Sequence, residues 1–396
     1  MRAYWHTLWI AAVLAALPAF GQSLPGYELI DITNTPQWFE RDAQINNHGQ
    51  IVFSRRMVAS DDSTTEIMLW DNGALTQITN DNVLDDFPDI NDSGTMVWSR
   101  GVGPNGKLEI VMWQDGALTQ LTHDTPNDYG PRVNNAGAVV WYKYHGTGCG
   151  GAMADICLYD GVQVVTLVAD GWSNQVPLIN DAGDIVWTRF NFCTSPYSGD
   201  VYRYRDGVIS RLSNSLSEPS VPALCSNGDV AWAQRKPPLY DWEIEIWRNG
   251  VIEPFAPGGG GVLLNSRGDI FFDRWQESNQ TWQVWRWREG VFEQLTNGAS
   301  WNWISDLADN GDFAWHSRDP FETDIRLLRR YPVGDLTCDG TVNVLDVNAF
   351  VLALASVELY SLNYPTCDAE LADLNDDGQM NVLDINSFVA RLAQGM

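Results

Sequence analysis

The chain has 396 residues, of which 51 are acidic and 24 are Lys or Arg, so its formal net charge at pH 7 is −27. Such an excess of negative charge repels phosphate backbones, and we therefore expect no nucleic-acid partner. Apolar residues make up 44% of the sequence. No stretch after Phe20 is apolar for long enough to span a bilayer as a helix, so we also expect no transmembrane segment.

The N-terminus has the pattern of a secretory signal peptide. A basic residue, Arg2, precedes the short apolar run Leu8–Leu17, and small residues surround Phe20 before Gln22. This order of charge, apolar run and cleavage site is typical of export signals. We therefore predict that residues 1–22 are removed and that the mature protein is secreted or held at the cell surface.

The body of the chain repeats an Asn- or Asp-containing turn that ends in glycine and runs into apolar residues. One clear copy is Ile179–Trp187, INDAGDIVW. The turn glycines recur every 40 to 46 residues, at positions 49, 94, 137, 183, 228, 268 and 311. An Asn side chain bonds the backbone two residues on, and glycine accepts positive φ, so each copy predicts two strands around a tight turn.

A second hairpin follows each turn. Its clearest copies are Ile67–Thr79 (IMLWDNGALTQIT) and Ile110–Thr122 (IVMWQDGALTQLT), each with Asn-Gly or Asp-Gly at the turn. Weaker copies begin at Ile156, Val201, Ile244 and Val284. Four strands per period of this length are typical of a propeller blade.

The count of hairpins predicts how the ring closes. The first hairpin occurs seven times and the second is complete six times, because the last period stops near Asp324–Leu328. The segment Tyr27–Thr33 (YELIDIT) is similar to the outer strands. We predict an all-β, seven-bladed propeller over residues 23–331, with the N-terminal strand completing the last blade and removing its open edge.

Two sets of side chains are candidates for a ligand face of this propeller. The first consists of aromatic residues between an outer strand and the next inner strand: Trp38, Phe39, Phe87, Tyr129, Trp172, Trp301 and Trp303. The second consists of cations six or seven residues after the turn glycine: Arg55, Arg100, Lys143, Arg189, Arg235, Arg274 and Arg318.

Each set has a structural and a functional interpretation. The aromatic residues either stack on a sugar or apolar ligand, or plug the mouth of the channel. The cations either bind an anionic ligand or form ion pairs between neighbouring blades, with Asp42, Asp86, Asp89 and Asp128 as nearby acids. By contrast, large rings inside the strands are expected to be core, at Trp70, Trp98, Trp113, Trp141, Trp187, Trp232, Trp247, Trp285 and Trp315.

The repeats resemble the TolB-type or WD40-like propeller family in their period and in the LTQLT hairpin. The Ser-Pro-Asp-Gly turn of that family is absent, because the turn here is IN-x-x-G. The resemblance implies a fold more than an activity, since the family contains scaffolding proteins, ligand binders and a few enzymes.

The C-terminal tail, residues 334–396, contains two twelve-residue loops with the ligand order of an EF-hand calcium loop, Asp335–Asp346 (DLTCDGTVNVLD) and Asp373–Asp384 (DLNDDGQMNVLD). We predict two Ca²⁺ sites, of which the first is weaker because Thr337 replaces an acid or amide. The expected oxygen ligands are Asp335, Thr337, Asp339, Thr341 (carbonyl), Asp346, Asp373, Asn375, Asp377, Gln379 (carbonyl) and Asp384.

A helix with one apolar face is predicted after each loop. The apolar positions follow i, i+3, i+4, i+7 spacing: Val347, Phe350, Val351 and Leu354, then Ile385, Phe388, Val389 and Leu392. Loop plus helix, written twice, resembles a type I dockerin, and the resemblance implies docking to a cohesin-like module. The partner-contacting positions differ from the family's frequent Ser-Thr, being Val344, Leu345, Val382 and Leu383. A calcium-stabilised cap without a partner is the alternative.

Six cysteines in an exported protein favour disulfides. We prefer the pairs Cys149–Cys157, Cys193–Cys225 and Cys338–Cys367 among the fifteen that six cysteines allow.

No GxSxG elbow occurs, and the few histidines are scattered, so the sequence favours a non-catalytic binding protein. The alternative is a carbohydrate-active enzyme on a propeller, a polysaccharide hydrolase or lyase tethered by the tail, because acidic residues are too numerous to exclude a catalytic pair. A carbohydrate or a protein is the expected ligand of the propeller face.

Overall fold

The computed structural model describes residues 24–57, 64–103, 105–148, 151–193, 197–214, 216–217, 219–236, 241–255, 259–288, 290–319 and 322–394. The predicted signal peptide, residues 1–22, lies outside these ranges. Within them, the helices are too short and too polar to cross a membrane.

After an N-terminal strand β1 (Tyr27–Asp31), the described residues form successive antiparallel meanders of four strands. Meander 1 contains β2 (Trp38–Ile45), β3 (Ile51–Met57), β4 (Glu66–Asp71) and β5 (Ala74–Gln77). Meander 2 contains β6 (Asp85–Ile90), β7 (Met96–Val102), β8 (Lys107–Gln114) and β9 (Ala117–Gln120). Meander 3 contains β10 (Asn127–Val133), β11 (Val139–Gly148), β12 (Gly151–Tyr159) and β13 (Val164–Val168). Meander 4 contains β14 (Ser173–Ile179), β15 (Ile185–Asn191), β16 (Ser198–Arg205) and β17 (Val208–Arg211), with the short β18 (Leu216–Ser217) beside β16.

The last three meanders repeat this order. Meander 5 contains β19 (Ala223–Leu224), β20 (Val230–Lys236), β21 (Asp241–Arg248) and β22 (Val251–Phe255). Meander 6 contains β23 (Val262–Leu264), β24 (Ile270–Gln276), β25 (Thr281–Arg288) and β26 (Val291–Gln294). Meander 7 contains β27 (Trp301–Leu307), β28 (Phe313–Asp319) and β29 (Glu322–Arg330).

The fourth strand of meander 7 comes from the other end of the chain. β1 pairs antiparallel with β29 from Tyr27 opposite Arg330 to Asp31 opposite Arg326. Tyr27 is fully buried in a cluster with Phe271, Phe313 and other apolar residues of the last two meanders. This is the strand pairing that the sequence predicted.

The first strand of each meander contacts the first strand of the next, in the order β2, β6, β10, β14, β19, β23 and β27, and β27 contacts β2 in turn. Two short parallel pairings also link neighbours, at Phe39 with Thr323 and at Ala154 with Ser173. The seven first strands therefore surround one central space.

The apolar core lies between neighbouring meanders. One cluster packs Val52 and Ile67 of meander 1 against Ile90, Met96 and Trp98 of meander 2. Six of the nine strand tryptophans are buried, as the packing interpretation predicted: Trp70, Trp98, Trp141, Trp187, Trp232 and Trp315. The meanders therefore stack face to face, because both faces of a strand are covered.

The repeated turn also joins neighbouring meanders. In the turn after β10, the Asn134 Oδ1 accepts the backbone N–H of Ala138 at 2.9 Å, which shapes the turn. The Nδ2 of the same side chain donates to the carbonyl of Asn180 in the next turn at 3.0 Å. Asn46, Asn91 and Asn180 donate to the following turn in the same way. A residue type expected only for its turn geometry thus also connects blade to blade.

The tail forms a small helical unit with its own core. It contains α1 (Asp346–Ala355), α2 (Val357–Asn363), a 3₁₀ helix (Ala369–Ala372) and α3 (Asp384–Gln394). The rings of Phe350 in α1 and Phe388 in α3 stack with centroids 4.1 Å apart. The tail contacts the body through Glu370, which pairs with Arg288 and lies 3.9 Å from both Arg267 and Arg330.

The disulfide expected in the tail, Cys338–Cys367, is confirmed. The other two pairings are wrong, because Cys157 and Cys225 are free buried thiols, and Cys193 is disulfide-bonded elsewhere. Cys157 lies inside β12 opposite Trp141, where its side chain is core, and Cys225 takes the Asn position of a repeated turn. Burial raises the pKa of both thiols to about 11.

Candidate ligand pocket and calcium loops

A cavity of about 710 Å³ occupies the central space between the first strands. One residue from every meander lines this central pocket, at the position just before the repeated turn begins: Gln44, Asp89, Arg132, Leu178, Ala223, Leu263 and Asp306. These equivalent positions differ in chemistry. At this position meanders 7, 1, 2 and 3 contribute an acid, an amide, an acid and a cation in turn, whereas meanders 4, 5 and 6 contribute apolar side chains.

The acidic residues of the central pocket bond the backbone of the neighbouring segments. Asp89 Oδ2 accepts the N–H of Val133 at 2.7 Å, and Asp306 Oδ2 accepts the N–H of Ile45 at 2.8 Å, so each connects its own meander to the next. Burial raises the pKa of Asp89 to about 7 and also raises that of Asp306, while the positive charge of Arg132 opposes both shifts. Their geometry indicates a structural role.

A third pocket carboxyl behaves in the same way. Asp273 Oδ1 accepts the N–H of Gly261 at 3.0 Å, and burial raises the pKa of Asp273 to about 7. A side chain at Gly261 would be crowded, since a Cβ there would lie 3.0 Å from Ile304 and 3.2 Å from the Asp273 carboxylate, so these neighbours would have to shift.

Arg132 differs from its neighbours in the central pocket. Its guanidinium donates to the carbonyl of Pro131 at 3.1 Å and forms no ion pair with a carboxylate of the described residues. Arg41, in contrast, bonds Asp86 of the next meander with two nitrogens. The central pocket therefore contains a half-buried cation whose donors are mostly unused.

Tryptophans form part of the lining of the central pocket. Trp242, Trp282 and Trp303 line it, and Trp303 belongs to a larger group in which Trp301 lies 5.5 Å from Trp303 and 6.0 Å from Trp275. Sequence reasoning missed Trp242 and Trp282. Both are the second residue of the third strand of a meander, a position that Leu108 occupies in meander 2. The replacement of an aliphatic residue by tryptophan at this equivalent position is the sequence signal that could have identified them.

Of the predicted ligand-face aromatics, the structure places Trp303 at the central pocket and the others elsewhere. The guanidinium carbon of Arg55 lies over the ring of Trp38, 4.5 Å from the ring centroid. Phe87 and Tyr129 pack edge to face at 6.4 Å. Trp172 is 44% exposed. The expected loop location was wrong for all except Trp172, because Trp38, Phe39, Phe87, Tyr129, Trp301 and Trp303 lie within first strands.

The predicted circle of cations is engaged mainly within single meanders. Arg100 bonds Asp85 at 2.7 Å and Asp81 at 2.5 Å, and Arg189 bonds Asp170 and stacks on Tyr202 at 4.2 Å. Lys143 pairs with Asp124. The other three guanidinium groups lie near aromatic rings, at distances to the ring centroid of 5.8 Å for Arg274 and Trp285, 5.2 Å for Arg235 and Trp242, and 5.7 Å for Arg318 and Phe39. An ion pair between neighbouring meanders joins Arg41 to Asp86.

Two groups of three acids converge outside the tail, Glu66 with Asp81 and Asp85, and Glu109 with Asp124 and Asp128. Each already contains a side-chain cation, Arg100 in the first and Lys143 in the second. These cations offset the charge that a metal would otherwise balance.

The two tail loops have matching backbone geometry. Asp335 accepts the N–H of Gly340 at 2.8 Å, and Asp373 accepts that of Gly378 at 2.9 Å. The fully buried last residue of each loop, Asp346 or Asp384, accepts N–H groups from the third and ninth loop positions. The donor set is entirely oxygen, which suits Ca²⁺, and the remaining expected ligands Thr337, Asp339, Thr341, Asn375, Asp377 and Gln379 lie within the same loops.

An exposed apolar surface lies beside each loop. Val344 and Leu345 are 64% and 63% exposed, and Val382 and Leu383 are 71% and 63% exposed. The predicted apolar face of each helix is divided, since Phe350 and Phe388 point inward while Val347, Val351, Ile385 and Val389 remain exposed. Exposed apolar groups that recur in both halves are typical of a partner-binding surface.

No family model matches this chain, and no curated protein matches it. Solved structures do. The acylaminoacyl peptidase of Pyrococcus horikoshii matches with a TM-score of 0.56 and 12% identity, covering 73% of this chain and 51% of that one. The β-propeller domain of the trilobed protease of Pyrococcus furiosus matches with a TM-score of 0.55 and 13% identity, covering 74% and 95%. The chain thus spans about half the length of the peptidase, and at these identities the likeness shows the fold alone. The fold is a β-propeller.

Proposed function

We propose that this protein is a secreted, non-catalytic binding protein whose seven meanders are the blades of one closed propeller. The propeller binds its ligand in the central pocket. The observation that carries this proposal is the pocket itself, to which every first strand contributes one side chain that varies in chemistry from meander to meander. A cavity of about 710 Å³ is within the size range of small-molecule sites.

The binding role is tested by intrinsic tryptophan fluorescence, because Trp242, Trp282 and Trp303 line the central pocket. A ligand that enters should change the emission of the mature protein in a saturable way. Leu263→Trp adds bulk at the pocket wall and should weaken that response, whereas Leu359→Trp, on an exposed tail position, should leave it intact. A saturable response that both variants retain would contradict binding in this pocket.

The tail serves as a dockerin-like calcium module in this proposal. Asp335, Thr337, Asp339, the Thr341 carbonyl and Asp346 would hold one Ca²⁺, and the matching residues from Asp373 to Asp384 would hold the other. The loop oxygens would hold a calcium ion that supplies a positive centre, and loops fixed in this way would orient α1 and α3. The matching hydrogen bonds of the two loops support this proposal.

The exposed apolar surface beside the loops then docks a cohesin-like partner. This proposal is supported by the exposure of Val344 with Leu345 and of Val382 with Leu383. Exposed apolar patches of this kind are unfavourable in water and are typical of interaction sites. Capture of partners from the native extracellular fraction with and without calcium tests this role. Val344→Asp combined with Val382→Asp should abolish calcium-dependent capture, and the tail should remain folded because both side chains are exposed.

The alternative function is a carbohydrate-active enzyme. It is favoured by the pocket carboxyls with raised pKa, Asp89 and Asp273, near tryptophan rings that can stack on sugars. Release of reducing ends from polysaccharides, lost on Asp273→Asn, would support the enzyme and contradict the non-catalytic proposal.

A further inference from the structure

The two sides of the central pocket define the chemistry of its ligand. On the polar side, Arg132 is the cation among the described lining residues, and it donates a hydrogen bond to the Pro131 carbonyl at 3.1 Å. A guanidinium carries five N–H donors in a planar fork. Among the described residues Arg132 forms no ion pair, although its charge acts on the nearby Asp89 and Asp306, and a carboxylate is the group that satisfies two of its remaining donors at once.

The other polar side chains of the central pocket have less capacity left. Asp89, Asp306 and Asp273 each accept a backbone N–H at 2.7 to 3.0 Å. Gln44 donates to the carbonyl of Ala43 at 2.8 Å. A sugar needs a partner for each of many hydroxyl groups, and a buried hydroxyl without one costs free energy. The pocket is therefore poorly equipped for a polyhydroxylated ligand.

The opposite wall is mainly apolar over three consecutive meanders. Leu178, Ala223 and Leu263 line it together with the rings of Trp282 and Trp303, and Asp273, whose Oδ1 accepts the N–H of Gly261, is the carboxyl on this side. Such a wall removes apolar ligand surface from water, which contributes about 25 cal/mol per Å².

We propose that the central pocket binds a small organic carboxylate with an apolar body, the carboxylate on Arg132 and the body against Leu178, Leu263 and the tryptophans. The inference rests on the proposed binding function and specifies its ligand class. A free aryl or aliphatic acid and the C-terminus of an apolar peptide share this chemistry.

The test compares an acid with its neutral isostere on the full mature chain. Calorimetric titrations use 4-phenylbutanoate, 4-phenylbutanamide and the acetylated tripeptide Ac-Ala-Leu-Phe with a free C-terminus. About 0.15 M salt screens the long-range repulsion from the net charge of −27. We expect 4-phenylbutanoate or the tripeptide to bind at least about tenfold more tightly than the amide, and the one that binds more tightly identifies the source of the carboxylate.

The variant Arg132→Gln should reduce the affinity for the acids to the level of the amide and leave amide binding unchanged. Arg391→Gln, the same charge change on an exposed residue of α3, is the matched control and should change neither affinity. Equal affinity for acid and amide in the wild-type protein, or no effect of Arg132→Gln, would overturn the inference, and so would no binding of either acid. Binding of a neutral oligosaccharide alone would overturn it too, but would retain the proposed binding role.

Discussion

The propeller and the tail both arise from sequence repetition, and they use it in opposite ways. In the propeller, the repeated positions build the scaffold: Asn134 bonds the turn of the next meander, and the position just before each turn varies to form the central pocket. In the tail, the repeated positions are themselves the candidate site, since both loops carry the same ligand order and both expose a Val-Leu pair. Variation among repeats indicates the pocket, and identity between repeats indicates the candidate calcium loops.

We expect the largest difference between the propeller and the tail in how the free energy of unfolding depends on pH. Burial raises the pKa of several propeller carboxyls to about 7, including Glu40, Asp89, Asp128 and Asp273. A pKa raised in the folded state adds stability at low pH that is lost as pH rises through the folded value. We expect the free energy of unfolding of the propeller to fall steadily between about pH 5 and about pH 8, measured by urea unfolding. A stability that rises over this window would contradict the burial of these acids.

Tyr27 tests the attachment of β1 to the last meander. Tyr27→Ala should cost about 3–5 kcal/mol of propeller stability, because it empties a fully buried site in the core of the last two meanders. Leu29→Ala, in the same strand but 48% exposed, is the matched control and should cost less than about 1 kcal/mol. Equal costs, measured by chemical unfolding, would mean that β1 is not held as described.

Loss of the tail disulfide should affect the tail and spare the propeller. The double variant Cys338→Ser with Cys367→Ser should destabilise the tail by about 2–5 kcal/mol, since the cross-link joins positions 29 residues apart. Hydrogen exchange resolves the two regions. Faster exchange in β1 to β29 as well as in α1 to α3 would show that the tail supports the propeller.

The repeated turn gives the smallest expected effect. Asn134→Asp keeps the Oδ1 acceptor of the turn and removes the Nδ2 donor to Asn180, at a cost of about 1–3 kcal/mol. Asn249→Asp, at an exposed position in the turn between β21 and β22, is the control for the added charge. An unchanged melting temperature for Asn134→Asp would mean that turn-to-turn bonds contribute little.

The sequence predicted the strands and helices well, but it predicted the packing between them less well. The period, the turn glycines and the two hairpins give the meanders, because local backbone geometry is written in each copy. The pairing of β1 with β29 also followed from counting strands. In the tail, the spacing of Phe350 and Val351 gave one apolar face, but spacing does not say which part of that face a neighbour covers.

The site was harder to predict because it depends on which strands converge. Trp282 and Arg132 lie 150 residues apart in sequence and meet only in the central pocket. The pairs predicted for Cys157 and Cys225 failed for a similar reason, since each of these two thiols is free and lies buried in a core between meanders. The sequence signal for the pocket is the variation among the aligned repeats at the position just before each turn.

The central proposal is that the stability of the tail depends on calcium and that the stability of the propeller does not. Differential scanning calorimetry of the mature protein, with excess calcium and with EDTA, tests this proposal most directly. We predict two transitions. The transition of the tail moves to higher temperature with calcium, by an amount equivalent to about 2.7 kcal/mol at a hundredfold excess over Kd, and Asp377→Ala reduces that shift. The propeller transition stays within about 1 °C of its position in EDTA. Identical traces in calcium and EDTA, or a calcium shift confined to the propeller, would contradict this account.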